Sequence, residues 1–555
     1  MTTYRGLSVA NRDIRKTMFS GFSAGLMRRS LTSCSRYTEH VRVMGPPFPG
    51  QWSFTRHPWL REMHDCKAPL WIGQKAAQMG YTETALNLTF YAIDREGKNV
   101  LYVLPNKTPD ATDFTNARFA PALALSRHLE SLFTDINNVG HKRAGNANLY
   151  VRGSKSKAGL RSIPVQVIIL DEVDVMAQEN IPLAMERVSG QVEKAIRMLS
   201  TPTIPNFGIN KYYEQSDKRQ FFFKCPSCSR SINLEFPRNI EITSDDPFNP
   251  SINDTKLICH ICRNTLPHEG KSSFLADGVW VPSRQSEAAG FYINQLYSPA
   301  VRPPELAQKY LLGLKSETGE QEFFNSNLGM PHSVAGSRVT DELIKQAIGE
   351  YSSYEGFTGT GLVTMGVDVG KRLHVVIEKW TWEITGRGIK SACQVLCAVT
   401  VNEFADLFGL VERFRVVRGV IDMNPERRQA RDFVTQLDGM FEMCEYPPGD
   451  LGREITAYED ERRIQVDRTA WLDVALGRFR HRGAIRLPAD ISYEYRENIK
   501  ALTKFFYRDR QGNFKARYIK GGEEDHFAHA RNYSEIAFVR ALGTGGEHAG
   551  DNPLY

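Results

Sequence analysis

Four short apolar runs frame the first half of the chain: "APLWIG" (68–73), "NVLYVLP" (99–105), "VQVIIL" (165–170) and "IRMLSTP" (196–202). They are continuous rather than alternating, the pattern of strands buried on both faces. Helix-like runs separate them, so residues 46 to about 215 read as an α/β domain around a parallel sheet. The pattern breaks at 220–285, which is rich in turn residues and reads as an inserted module. "AAGFYINQLYSP" (288–299) to "SNLGMPHS" (326–333) reads as a return to the first domain. Then "VAGSRVTDELIKQAIGEYSSYEGFTGTG" (334–361) predicts a helix and a Gly/Ser-rich linker. A second α/β pattern follows: "GLVTMGVDVG" (361–370), "RLHVVIEKWTW" (372–382) and "CQVLCAVTV" (393–401), then a helix, then "VVRGVIDMN" (416–424). Hairpin-like strands lead that set, so its sheet should be mixed. The expected organisation is a basic, loosely patterned segment (1–45), a first domain (46–345) carrying the insert, a linker (346–360), a second domain (361–545) and a tail (546–555).

Length and composition agree with a multidomain globular chain. There are 555 residues, 41% apolar and 24% charged, with a formal charge of +6. No apolar run is long enough to span a membrane, and the N-terminus lacks the apolar centre of a signal peptide. Nine cysteines, an odd number, point to a reducing compartment. Four of them form "CPSC" (Cys225, Cys228) and "CHIC" (Cys259, Cys262). Two such knuckles can close a tetrahedral thiolate site around one structural zinc. His260 and His268 lie close by, but four thiolates already suffice.

The second candidate chemistry is nucleotide hydrolysis. The "VIILDEVD" run (167–174) carries an apolar strand into two acids. Asp171 is placed to hold magnesium and Glu172 to activate the attacking water. The G-x-x-x-x-G-K-[ST] pattern of a phosphate loop occurs nowhere in the chain. Instead "QKAAQMGYTE" (74–83) offers Gly80 and Thr82 in the glycine and hydroxyl positions, with Tyr81 in the usual lysine slot. Lys75 stands at the front of the loop, from where it can reach the phosphates. The literal "GKS" at 270–272 follows no strand and is a decoy. Ser200 and Thr201 end the next strand, where a hydroxyl can sense the terminal phosphate, and Arg161 is a candidate for transition-state charge.

A third set of residues suggests metal-dependent cutting. Asp368 and Asp422 each end an apolar strand, and "EEDHFAHARNYSEIAF" (523–538) puts Asp525 and His529 one turn apart on a late helix. Strand acid, strand acid and helix ligand is the order of a two-metal, RNase H-like nuclease site. Either Asp525 or His529 can supply the third ligand, with Glu426 and Asp473 as substitutes.

Taken together, these motifs resemble the large terminase subunit of tailed phages, of the lambda-like branch. The residues carrying the likeness are "QKAAQMGYTE", "VIILDEVD", "LSTPT", "CPSC…CHIC", "FYINQLYSP", "FFNSNLGMP" and "DRTAWLDVALGRFRHRGAIRLP". The resemblance implies a phosphate-loop ATPase domain with a parallel sheet and a zinc insert, followed by an RNase H-like nuclease domain. It implies ATP with magnesium as cofactor, and two magnesium or manganese ions in the nuclease site. It further implies double-stranded DNA, a small terminase subunit and a procapsid portal as partners, and a homo-oligomeric ring during packaging. The implied location is the host cytoplasm and, transiently, the portal, not the mature virion. Two other classes fit part of the pattern. One is a helicase-like ATPase with an inert second domain; the other is a DNA-binding scaffold with a degenerate loop, which Tyr81 favours.

Overall fold

The computed structural model describes residues 31–543 apart from 134–135, 162, 355–360, 386–387, 438, 450, 509–512 and 522–523. The chain divides into two compact units, 1–332 and 333–555. The expected tail (546–555), residues 1–30 of the N-terminal segment and residues 355–360 of the linker lie outside the described residues.

In the first unit the four apolar runs become β1 (Leu70–Lys75), β2 (Val100–Leu104), β4 (Val167–Asp171) and β5 (Ala195–Ser200). They are joined by β3 (Ala147–Gly153), β6 (Arg219–Lys224) and β7 (Ala288–Ile293). The central order is β6-β7-β1-β5-β4-β2-β3, every neighbour parallel, within a sheet of eleven strands among the described residues. In such a sheet the carboxyl ends of the strands are where ligands bind. β1, β4 and β5 end side by side at Lys75, Asp171 and Ser200.

Several boundaries differ from the sequence reading. The helix Cys34–Val41 buries Cys34, Tyr37 and Val41 in the first unit's core, so the ordered end of the 1–45 segment belongs to that domain. The insert also starts later than 220. β6 and the short strand Val279–Val281 are part of the main sheet, and Phe221, Phe223 and Trp280 lie in its core.

The second unit holds a mixed eight-stranded sheet among the described residues. Its centre is β8 (Leu362–Val369), β9 (Leu373–Thr385), β10 (Gly388–Val401), β11 (Arg418–Asp422) and β12 (Phe441–Glu445). The order is β10-β9-β8-β11-β12; β8, β9 and β10 are antiparallel and β8, β11 and β12 parallel. Val339, Ile344 and Ala347 pack into this unit's core, which moves the boundary from 345/346 to 332/333. The late helix, α2 (His526–Ala541), lies on β8. Gly366 makes that contact close: a Cβ there would sit 1.9 Å from the Ala530 carbonyl oxygen and 2.3 Å from the Ser534 nitrogen. Buried Arg478 pairs with Glu535 of this helix at 2.5 Å, and Arg531, on the helix itself, pairs with Glu535 at 3.2 Å and with Glu378 of β9 at 3.5 Å.

Candidate functional site

Between β1 and the following helix, α1 (Tyr81–Asp94), the chain makes a tight loop with positive φ at Gln78 (60°) and Gly80 (86°). Gly80 has no room for a side chain, since a Cβ would meet Leu60 at 2.6 Å. Tyr81, in the usual lysine position, points down instead of into the loop. It packs on Trp71 with ring centres 5.9 Å apart, over the Cβ-free Gly73. The cation comes from the other end. Lys75, only 6% exposed, lies 3.2 Å from the Thr201 hydroxyl and 3.8 Å from Glu172. Among the described residues, no protein acceptor meets the N–H groups of Gln78, Met79 and Gly80, the arrangement that surrounds a phosphate.

Asp171, 2% exposed, accepts a 2.7 Å hydrogen bond from Tyr102 on β2, and its Oδ1 has no partner. Burial, then the Glu172 charge, push its pKa up to about 6 against the opposing effects of Tyr102, Lys75 and the Thr82 hydroxyl. An orphaned carboxylate oxygen near a threonine hydroxyl suits a hard cation. Glu172 is in the left-handed region (φ 65°, ψ 50°) with its side chain 42% exposed, so it can face a reacting water. The two hydroxyls after β5 diverge. Thr201 faces Lys75, whereas Ser200 is fully buried, donates to the Thr201 carbonyl at 3.0 Å and accepts from the Asp174 N–H at 3.2 Å.

Sequence reasoning missed the scaffold around this loop. Asp174, buried and with a pKa pushed up to about 7 by desolvation, accepts three 2.8 Å bonds, from the Thr203 N–H and hydroxyl and from the Ile209 N–H. The Thr203 carbonyl in turn accepts from Asn325 at 2.7 Å, and neighbouring Ser326 accepts the Ala77 N–H at 2.7 Å. The "FFNSNLGMP" segment thus braces the loop and the acid-bearing turn together. Only the density of Asn and Ser in that segment signalled it. Arg161 sits exposed just after a short helix, Lys157–Leu160, and no described hydrogen bond or ion pair ties its side chain to Lys75, Asp171 or Glu172.

The four cysteines come together. Cys225–Cys262 and Cys228–Cys259 are each 3.9 Å apart between sulfurs, and all four sulfurs lie within 4.8 Å of one another. Zinc–sulfur bonds of about 2.3 Å give tetrahedral edges of about 3.8 Å, so the spacing suits that ion. The two knuckles match: Ser229 and Arg263 have φ of 57° and 63°, and their N–H groups return to the Cys225 and Cys259 carbonyls at 2.9 Å. His260 and His268 are engaged elsewhere, with Asn239 at 3.2 Å and the Pro299 carbonyl at 3.0 Å. The decoy Lys271 is buried against the Ser298 carbonyl at 2.7 Å.

In the second unit Val367 pairs with Ile421, which sets Asp368 and Asp422 side by side at the ends of parallel strands. Burial, together with the Asp368 charge, raises the Asp422 pKa to about 6. His529 is close enough to oppose that shift, and lies 3.4 Å from Tyr446 and 3.3 Å from Arg468. Asp525 turns toward cations instead: His529 at 3.4 Å, Lys520 at 3.7 Å and Arg468 at 3.8 Å. Burial works against its ionisation, yet those charges pull its pKa down to about 2. The residue that touches Asp368 is one the sequence reading passed over, His526, with Nδ1 2.7 Å from Oδ2. Its position beside Asp525 at a helix start was the available signal. Asp473 is engaged elsewhere, with Lys504 and Tyr518 at 2.7 and 2.9 Å. Glu426 is exposed and lies 3.4 Å from Gln429.

The phage terminase large subunit gpA ATPase-domain family matches residues 47–280, and the endonuclease-domain family of the same subunit matches residues 288–393. The second match includes Asp368 and stops before Asp422 and α2. The large terminase subunit of Enterobacteria phage P21 is 24% identical over 348 residues, 56% of this chain and 53% of that protein. That of Escherichia phage lambda is 26% identical over 316 residues, 50% of this chain and 49% of that protein. The chain spans about half the length of the curated relatives it matches. The crystal structure of the HK97 bacteriophage large terminase aligns at 12% identity with a TM-score of 0.48, covering 92% of this chain and 99% of that one.

Proposed function

The chain belongs to the phage terminase large-subunit family, and from that premise we propose that it hydrolyses ATP in its first unit to drive double-stranded DNA into a procapsid, and cuts DNA in its second. The observation that supports the motor reading most is the convergence of Lys75, Thr201 and Glu172 within 3.8 Å at the ends of β1, β5 and β4. Lys75 reaches the phosphates from the front of the loop, and the free N–H groups from Gln78 to Gly80 cradle them. Magnesium, when bound by Thr82 and Asp171, neutralises phosphate charge. Glu172 orients the attacking water and takes its proton. Thr201, already touching Lys75, reports the state of the terminal phosphate to β5. For the second unit, the strand order and the adjacent Asp368 and Asp422 support an RNase H-like, metal-dependent nuclease. A plasmid-digestion assay with manganese, run beside an ATPase assay on one preparation, tests both halves. A helicase-like chain with an inert second domain would hydrolyse ATP and leave the plasmid intact.

The partners are double-stranded DNA, the small terminase subunit and the portal, with a homo-oligomeric ring as the working form in the host cytoplasm. Among the described residues no helix is long and apolar enough to cross a membrane. The four cysteines hold one structural zinc. Elemental analysis of protein purified without chelator is expected to give about one zinc per chain; its absence would remove the assignment. Cys228→Ser is expected to expose residues 225–275 to proteolysis while the second unit keeps its melting behaviour.

Arg161 acts on a neighbour's ATP in the ring, which accounts for an exposed guanidinium outside its own subunit's site. An arginine supplied in trans contributes roughly a thousandfold. Arg161→Ala is expected to lose most packaging-stimulated hydrolysis, and mixing it with Glu172→Gln chains should restore part of it. Parental turnover by Arg161→Ala under packaging conditions would sink this role.

A further inference from the structure

Asp368 faces His374 directly across the β8–β9 pair. Opposite residues on antiparallel strands share a face, with Cβ atoms about 5 Å apart. The close helix contact at Gly366 brings a second imidazole to the same place, since α2 begins at His526. The two rings stack with centres 4.4 Å apart and planes 11° from parallel, and Phe527 closes edge-on over His374. Both rings are oriented alike. Nε2 of His374 lies 3.5 Å from Glu494, and Nε2 of His526 lies 3.3 Å from Glu524. That leaves Nδ1 of each ring: in His526 it touches Asp368 at 2.7 Å, and in His374 it is buried without a partner. For His374, an outer nitrogen on a carboxylate and an inner nitrogen left free is how metal-bound histidines are held; for His526, Nδ1 would exchange its Asp368 contact for the ion. Buried polar atoms seldom lack partners, and a ligand site accounts for one that does.

We propose that Asp368, His374 and His526 form a metal site of two imidazoles and one carboxylate. One ligand atom from each lies within 4.8 Å of the others. Around an ion with bonds of about 2.1 Å, ligand atoms lie about 3 to 4.2 Å apart, so the three atoms must draw in by less than about 1 Å and the stacked rings must turn so that both nitrogens converge on the ion. Magnesium takes oxygen ligands, manganese accepts imidazole beside carboxylate more readily, and cobalt or zinc binds imidazole more tightly still. Asp368 then serves two ions: this one, and another shared with Asp422. The inference rests on the nuclease reading and adds nitrogen ligands that the strand acids alone do not require.

The test is Mn2+ bound to the full chain without nucleotide, read by pulsed EPR for coupling to imidazole nitrogen. Coupling is expected in the parent and should fall in both His374→Gln and His526→Gln. His374→Asp keeps a ligand atom, so it should lose its nitrogen coupling while still binding Mn2+, which separates ligation from misfolding. Mn2+ bound without nitrogen coupling, or coupling unchanged in both glutamine variants, overturns the proposal. In that event Mn2+ binding and cutting that depend on Asp422 would leave the nuclease reading standing. If Asp368→Asn and Asp422→Asn change neither Mn2+ binding nor cutting, both readings fall together.

Discussion

Glu172→Gln is expected to bind ATP within a few-fold of the parent while its turnover falls by about 100-fold or more, the usual loss when a catalytic proton acceptor is removed. The substitution is close to a pure test of proton acceptance. Glu172 sits at φ 65°, a backbone region that any non-glycine side chain occupies at a cost. Glutamine has the same branching, so the strain does not change. The loss of negative charge frees Lys75 from a 3.8 Å ion pair but leaves its 3.2 Å contact with Thr201, so the lysine stays at the mouth of the loop. Asp171 gains as well: with the neighbouring charge gone, its pKa should fall from about 6 toward the ordinary range, which favours magnesium binding. The variant should therefore trap nucleotide. Fluorescent-nucleotide titration and phosphate release on the same sample read the two quantities separately. Near-parental phosphate release would remove Glu172 from the mechanism and reopen the scaffold reading that Tyr81 suggests.

The residues legible in the sequence sit where the chain changes state. Lys75, Asp171 and Thr201 lie at or just past strand ends, and an apolar run that stops on a polar residue announces itself by composition. The cysteine knuckles are legible for a similar reason, because local spacing alone fixes them. What stayed hidden depends on pairings distant in sequence. Tyr102 reads as one more apolar strand residue, yet its hydroxyl crosses to Asp171. Ser326 accepts from Ala77 in the phosphate loop, and Asn325 donates to the Thr203 carbonyl 122 residues earlier. Ser200 and Thr201 are neighbours, and only the turn at Asp174 decides which hydroxyl faces Lys75. In the second unit, His374 is an unremarkable strand residue until the β8–β9 register puts it opposite Asp368. The sequence pairs Asp525 and His529 on one helix face, whereas the helix begins at His526 and Asp525 stands at its N-cap, outside the helical turns. It could not show that Lys520 and Arg468 come close enough to occupy Asp525.

Asp368→Asn is expected to reduce DNA cutting by about 1000-fold or more, from the loss of a charged metal ligand at the reacting centre, while ATP turnover stays at the parental rate. Asparagine is preferred to alanine because it can still accept from His526, so the 2.7 Å contact with α2 survives. The folded state should not suffer. Asp368 is 6% exposed beside a second carboxylate whose pKa burial and that neighbour lift to about 6. Removing the charge relieves repulsion, so the melting temperature should hold or rise in metal-free buffer. This combination distinguishes a ligand from a structural residue, whose loss would lower stability and activity together. The parent should cut faster with manganese than with magnesium, since imidazoles at 374, 526 and 529 crowd the acid pair. Asp525→Ala and His529→Ala divide the remaining question. Asp525 is surrounded by Lys520, Arg468 and His529 and its pKa is near 2, so its loss should release His529 rather than a metal. His529→Ala should cost more cutting than Asp525→Ala. The opposite ranking would make Asp525 the ligand, and cutting by Asp368→Asn at the parental rate would end the nuclease assignment for this unit.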